Sequence, residues 1–111
     1  MTLFQKIIDK EIPADIIYED DLSLVFKDIN PQAPTHLLII PKKQIAKASD
    51  AIESDKEVLG HLIWVAGEVA RNLGIEDAFR LVVNNGARAG QSVFHLHIHL
   101  LAGRPLNWPP G

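Results

Sequence analysis

Cysteine is absent from the 111-residue chain, which removes every disulfide framework and every cysteine-based zinc site. That absence is compatible with a reducing cytosol. No apolar run approaches the roughly 18 residues of a membrane span. The opening Met1-Thr2-Leu3-Phe4-Gln5-Lys6 lacks the long apolar core of a signal peptide, so none is expected. Charge does not gather in blocks: the formal net charge is −3, and like charges never run beyond two or three residues. This disfavours nucleic acid, whose phosphates are bound by clustered Lys and Arg. What is present is 47% hydrophobic and 23% charged residues, too apolar for disorder. The length suits one ordinary core. The expectation is a single cytoplasmic domain over 1–111, with neither membrane nor nucleic acid as partner.

Leu3, Phe4, Ile7 and Ile8 recur at helical spacing, and Pro13 bars extension much past Lys10, which predicts a short amphipathic helix over 3–9. Residues 16–19 and 22–28 are β-rich runs around Asp20-Asp21, a hairpin pattern. The loop 30–34 holds two prolines, and His36 to Pro41 then reads as a central strand buried on both faces. Ser54-x-x-Glu57 fits a capping box at the start of the main helix, and Gly74 closes it. Its core stripe is Val58, Leu62, Val65, Ala66, Val69 and Leu73. The opposite side reads Gly60, Trp64, Gly67 and Arg71. Glycines inside a helix cost about 1 kcal/mol each relative to alanine. Beside Trp64 they point to close approach of another backbone, from a second subunit, unless Trp64 merely covers a corner of its own core. His61, near Glu57, reads as solvated.

Phe79 to Asn84 is a further strand, followed by the glycine-containing loop 85–90 and an apolar run from Val93 to Leu101. These read as a long-loop hairpin. The tail 102–111 contains three prolines and carries Trp108 near its end, which points to docking on a surface. The sum is an α+β domain: about five antiparallel strands, one long and one short helix, the helices packed on one face.

Within the last strand, His95, His97 and His99 stand at i, i+2 and i+4, so an extended chain turns all three to one face. Four readings fit. The rings line a solvated strand; or two of them, with His36 or Asp28, hold a metal such as zinc. Alternatively, a neutral imidazole attacks an electrophile while its neighbours handle protons, helped by neutral donors from Gln91, Ser92 and the glycine loop. Or the face binds a nucleotide without turning it over. Catalysis and binding are not separated by this pattern.

His95-Leu96-His97-Ile98-His99-Leu100-Leu101 resembles the signature of the histidine-triad nucleotide-binding family. Phe4 to Ala14, Asp28 to His36, Gly90-Gln91-Ser92-Val93 and Trp108-Pro109-Pro110-Gly111 are similar, in order, to segments of its Hint branch. The resemblance spans nearly the whole chain. It implies a single domain of that fold, paired as a homodimer joined across the main helix and the neighbouring strand, working without metal or other cofactor. The implied activity is that of a purine nucleoside phosphoramidase, cleaving the P–N bond of adenosine or guanosine 5′-phosphoramidates to AMP or GMP and an amine. The implied nucleophile is His97. His99 would bond the phosphate, with His95 and His36 orienting His97 and relaying protons. Asp28 would accept from the ribose hydroxyls, as suits an acceptor-only carboxylate. Leu3, Phe4, Ile7, Phe26 and Ile29 would form the base pocket. Asn84, Gln91 and Ser92 would contact the phosphate or leaving group, Ser92 donating to the departing nitrogen. Arg88, in the loop before Gln91, departs from the branch's pattern and reads as surface variation.

Overall fold

The computed structural model describes residues 1–111. A six-residue helix α1 (Leu3–Ile8) starts at Thr2, whose hydroxyl accepts the Gln5 N–H at 3.1 Å and satisfies one orphan donor of the first turn. Strands β1 (Ile16–Glu19) and β2 (Ser23–Lys27) form the expected hairpin. Asp20 makes that turn: Oδ1 accepts from Leu22 N–H, Ser23 N–H and the Ser23 hydroxyl at 2.8–2.9 Å. Its Oδ2 accepts from the Tyr18 hydroxyl at 2.9 Å and lies 2.7 Å from His61 Nε2. His61 is therefore tied to the hairpin, not solvated beside Glu57 as its sequence position led one to expect.

Strand β3 (Thr35–Pro41) follows, then the 17-residue helix α2 (Lys56–Asn72), β4 (Phe79–Val82) and β5 (Ile98–Ala102). The strands lie in the order β1-β2-β3-β5-β4, every neighbour antiparallel. The α+β, five-stranded expectation holds, but the helices do not share a face. Val25, Leu37 and Ile39 pack under α2 with Leu62, Val65, Ala66 and Val69. Leu24, Phe26, Leu38 and Ile40 pack with Phe4 and Ile7 of α1 on the other side. A central strand that is apolar from Leu37 to Pro41 buries both faces there and needs a cover on each.

The expected capping box of Ser54 and Glu57 does not form. A short 3₁₀ turn (Glu53–Asp55) precedes α2, and the Asp55 carboxylate accepts from Ile52 N–H at 3.0 Å and from the Lys43 ammonium. Leu73, placed in the core stripe by periodicity, is about half exposed, and Ala70 is buried instead. Gly74 closes the helix at φ +71, a conformation that strains residues with a Cβ. On the outer face Ile63 and Trp64 are each more than half exposed, and a Cβ on Gly60 would meet nothing. Within one chain nothing covers that stripe.

The histidine segment also departs from expectation. Strand pairing begins only at Ile98, opposite Ile39, and the chain bends over 93–95. Pro41 has no N–H to carry the ladder further. The segment is held by other bonds: Leu96 N–H to the Ile45 carbonyl and the His95 ring to the Pro41 carbonyl, both at 2.7 Å. The alternation of sides survives the loss of pairing, with Leu96, Ile98 and Leu100 in the core under α2. The tail is anchored by Arg104 Nε–H to the Gln32 carbonyl and Arg80 Nη2–H to the Leu106 carbonyl, each at 3.1 Å. Trp108 does not dock on its own chain and is 82% exposed.

Candidate active site

Between α1 and the sheet opens a cleft of about 260 Å³. Leu3, Phe4 and Ile7 of α1 form one wall, Phe26 and Leu38 the floor, and Ile29, almost fully exposed, stands at the mouth. Asp28, Ser92, His97 and His99 supply the polar lining. Nine of the sequence-predicted residues thus meet in one place. Leu38, Val93 and the turn Ile12-Pro13-Ala14 also line it and were not foreseen. A larger depression near Lys42 and Lys43, about 450 Å³, has both cations paired, to Glu19 and Asp55, and no histidine in its lining.

Strand register brings His36 to the cluster. His36 lies opposite Leu101 and Leu38 opposite His99, so His36 and His99 are diagonal neighbours on one face. His36 Nδ1 accepts the Gln32 backbone N–H at 3.0 Å, which places the proton of a neutral ring on Nε2. That Nε2–H donates to His99 Nδ1 at 2.9 Å, so His99 in turn carries its proton on Nε2. His97 Nδ1 lies 2.8 Å from the His95 carbonyl oxygen, which can only accept. The Nδ1 of His97 is therefore the protonated nitrogen, and its Nε2 lone pair is left free at the cleft that His97 lines.

Burial pushes the His36 imidazole below its ordinary pKa, with the nearby Asp28 carboxylate opposing. Burial does the same to His95, against the Pro41 carbonyl. His99 is pushed down to about 4, first by burial and then by the neighbouring His97 and His36, with Asp28 again opposing. These three rings are neutral at physiological pH. Asp28 holds its own turn, Oδ1 accepting Asn30 N–H at 2.8 Å, while Oδ2 sits 3.4 Å from His36 Nε2.

Two expected roles need correcting, and a third residue lies outside the cleft lining. His95 is fully buried, donates from Nε2 to Pro41 and has no partner at Nδ1, so it cannot pass protons to the cleft. It pins the carbonyl that fixes the His97 tautomer. Gln91 is buried with both amide hydrogens spent, on the Ala46 and Val93 carbonyls at 2.8 and 3.0 Å, and its oxygen accepts Gly86 N–H at 2.8 Å. It staples the glycine loop and has no donor left for a phosphate. Asn84 packs against Gly90, outside the cleft lining.

One atom from each of Asp28, His36 and His99 falls within 4.8 Å of the others, close enough to suggest a metal. The donor chemistry does not fit one. A neutral His36 whose Nδ1 accepts a backbone N–H has no lone pair on Nε2 to give. The 2.9 Å nitrogen separation is that of a hydrogen bond. Two imidazoles on a tetrahedral zinc, each about 2.0–2.1 Å from it, would stand further apart.

The family model described as HIT domain matches residues 9–106. An uncharacterized HIT-like protein of Synechocystis is 63% identical over 110 residues, covering 99% of this chain and 96% of that protein. A maize protein named as a 14 kDa zinc-binding protein is 54% identical over 112 residues, covering 99% and 88%. Among solved structures, a HIT family hydrolase from Legionella pneumophila superposes with a TM-score of 0.97 at 48% identity over 100% of both chains. A histidine triad nucleotide-binding protein from Candida albicans gives 0.84 at 30% identity, covering 98% of this chain and 83% of that one. With its triad, its fold and these relatives in agreement, the chain belongs to the HIT, or histidine-triad, family.

Proposed function

We propose that the protein is a hydrolase acting on nucleotides, specifically a purine nucleoside phosphoramidase working through a nucleotidyl-histidine intermediate. One observation carries the reading: His97 is held as the tautomer whose Nε2 lone pair is free at an apolar-walled cleft. The cleft's apolar wall suits a purine of either kind, and Asp28 at its edge offers a carboxylate to the ribose hydroxyls. The Legionella and Candida relatives, by their names a hydrolase and a nucleotide-binding protein, support the same class.

In the first step the Nε2 lone pair of His97 bonds to phosphorus as the phosphorus–amine bond breaks. The amine leaves with a proton delivered through the Ser92 hydroxyl, which regains one from solvent. The Nε2–H of neutral His99 donates to a phosphate oxygen, its direction set by the chain from Gln32 N–H through His36. In the second step water attacks phosphorus, the bond to Nε2 breaks, and the proton released returns to solvent. The products are the nucleoside monophosphate and the free amine, and the enzyme is restored.

Incubation with an adenosine 5′-phosphoramidate, with and without EDTA, tests this. AMP release is expected to survive chelation and to fall by at least about 10³-fold in His97→Ala. Retained turnover in that variant would sink the nucleophile. Loss with EDTA would instead favour a zinc-dependent reading of the kind the maize relative's name raises. We further propose a homodimer formed over the exposed Gly60, Ile63, Trp64 and Gly67 face of α2 and the adjoining edge strand β4. Sedimentation as a monomer at micromolar concentration would overturn it.

A further inference from the structure

We infer that Phe4, besides walling the cleft, is a positioning residue that sets the tilt of the His97 imidazole. The inference rests on the reading of His97 as nucleophile. The Phe4 and His97 rings meet edge to face, centroids 5.0 Å apart and planes at 84°. Phe4 is backed by Phe26 at 5.4 Å and 76°, and is itself only 5% exposed. The bond from His97 Nδ1–H to the His95 carbonyl fixes one edge of the ring and the tautomer. A single bond leaves the ring free to tilt about that edge, and the tilt decides where Nε2 points. The rings that contact His97 remove this freedom, and one of them, His99 at 5.0 Å, is already held by His36. The other is Phe4, delivered by a helix of only six residues.

Two consequences follow. The residue that walls the base pocket also touches the nucleophile, so base binding and aim are coupled through one side chain. An aliphatic replacement keeps the apolar wall and loses the ring contact. Misplacing a nucleophile by about 1 Å costs on the order of 10²-fold in rate.

The test uses the full chain and an adenosine 5′-phosphoramidate. Phe4→Leu is expected to lower kcat by about 10- to 100-fold while KM moves far less, and the aromatic Phe4→Tyr to recover most of the loss. Proton NMR of the same proteins supplies a readout independent of turnover. The His97 Nδ1–H resonance is expected to be sharp and slowly exchanging in the wild type and broadened in Phe4→Leu. A raised KM with unchanged kcat and an unchanged resonance would overturn the positioning role and leave Phe4 as pocket wall alone. If the wild type releases no AMP, the phosphoramidase reading fails, and the resonance by itself still decides whether Phe4 orders the ring. Should Phe4→Leu not fold, as thermal unfolding would show, Phe4→Met serves in its place.

Discussion

The two faces of the sheet are built for different work. Between α2 and the sheet lies an apolar cluster of twelve buried residues. Under α1 the apolar cluster has six, and the rest of that face is given to the histidines and the cleft. Burying apolar area stabilises at about 25 cal/mol per Å², so the α2 face supplies most of the hydrophobic stability. The α1 face carries the buried histidines, including the His95 Nδ1 without a partner, which weakens a core. One face holds the shape, and the other keeps a histidine-lined cleft open in it.

The sharpest way to break this division is to cut each face and compare the damage. His97→Ala is expected to remove activity by at least about 10³-fold while leaving thermal unfolding nearly unchanged. Leu62→Ala, at a fully buried position on the inner side of α2, should do the reverse. It is expected to cost about 2–5 kcal/mol in denaturant unfolding, with the turnover of the molecules that remain folded preserved. If Leu62→Ala abolished turnover without destabilising the fold, the two faces would not be separable.

A smaller effect comes from acid. The folded-state pKa of His99 is pushed down to about 4, and His36 and His95 are lowered as well. Between the ordinary imidazole value of about 6.5 and the folded value, the unfolded chain binds protons that the folded chain refuses. Stability therefore falls as pH drops through that window, by up to about 1.4 kcal/mol per pH unit per group. His99→Gln should flatten the slope between about pH 6.5 and 4 in urea titrations, and Leu62→Ala should leave the slope as it is. An unchanged slope in His99→Gln would remove that ring as the acid-sensitive element of the α1 face.

Much of this division was legible in the chain. The apolar gaps Leu96, Ile98 and Leu100 placed one side of the histidine segment in a core, and the helical spacing of Leu62, Val65, Ala66 and Val69 named the element that covers it. Asp28 and His36 were recognised from their block, and their neighbours at the cleft followed. Periodicity could not show that Gln91 faces inward to the Ala46 carbonyl, since that partner lies 45 residues away. Nor could it tell His95, fully buried, from His97, at the cleft, when both sit on the same side of an alternating run. The difference arises where Pro41 ends the ladder and the chain bends.

By itself, then, the sequence determined most of the elements, the alternation and most of the side chains that meet at the cleft, because these depend on side-chain chemistry and on local backbone preference. The tertiary structure alone decided the protonation pattern. Strand register brings His36 to His99, 63 residues apart, while the folded shape of the loop before β3 sets Gln32 N–H on His36 and the bend before β5 sets His97 on the His95 carbonyl; together they select which nitrogen is bare. Three similar imidazoles thereby come to differ: His95 is bound to the Pro41 carbonyl, His97 keeps a bare Nε2, and His99 carries its proton on Nε2.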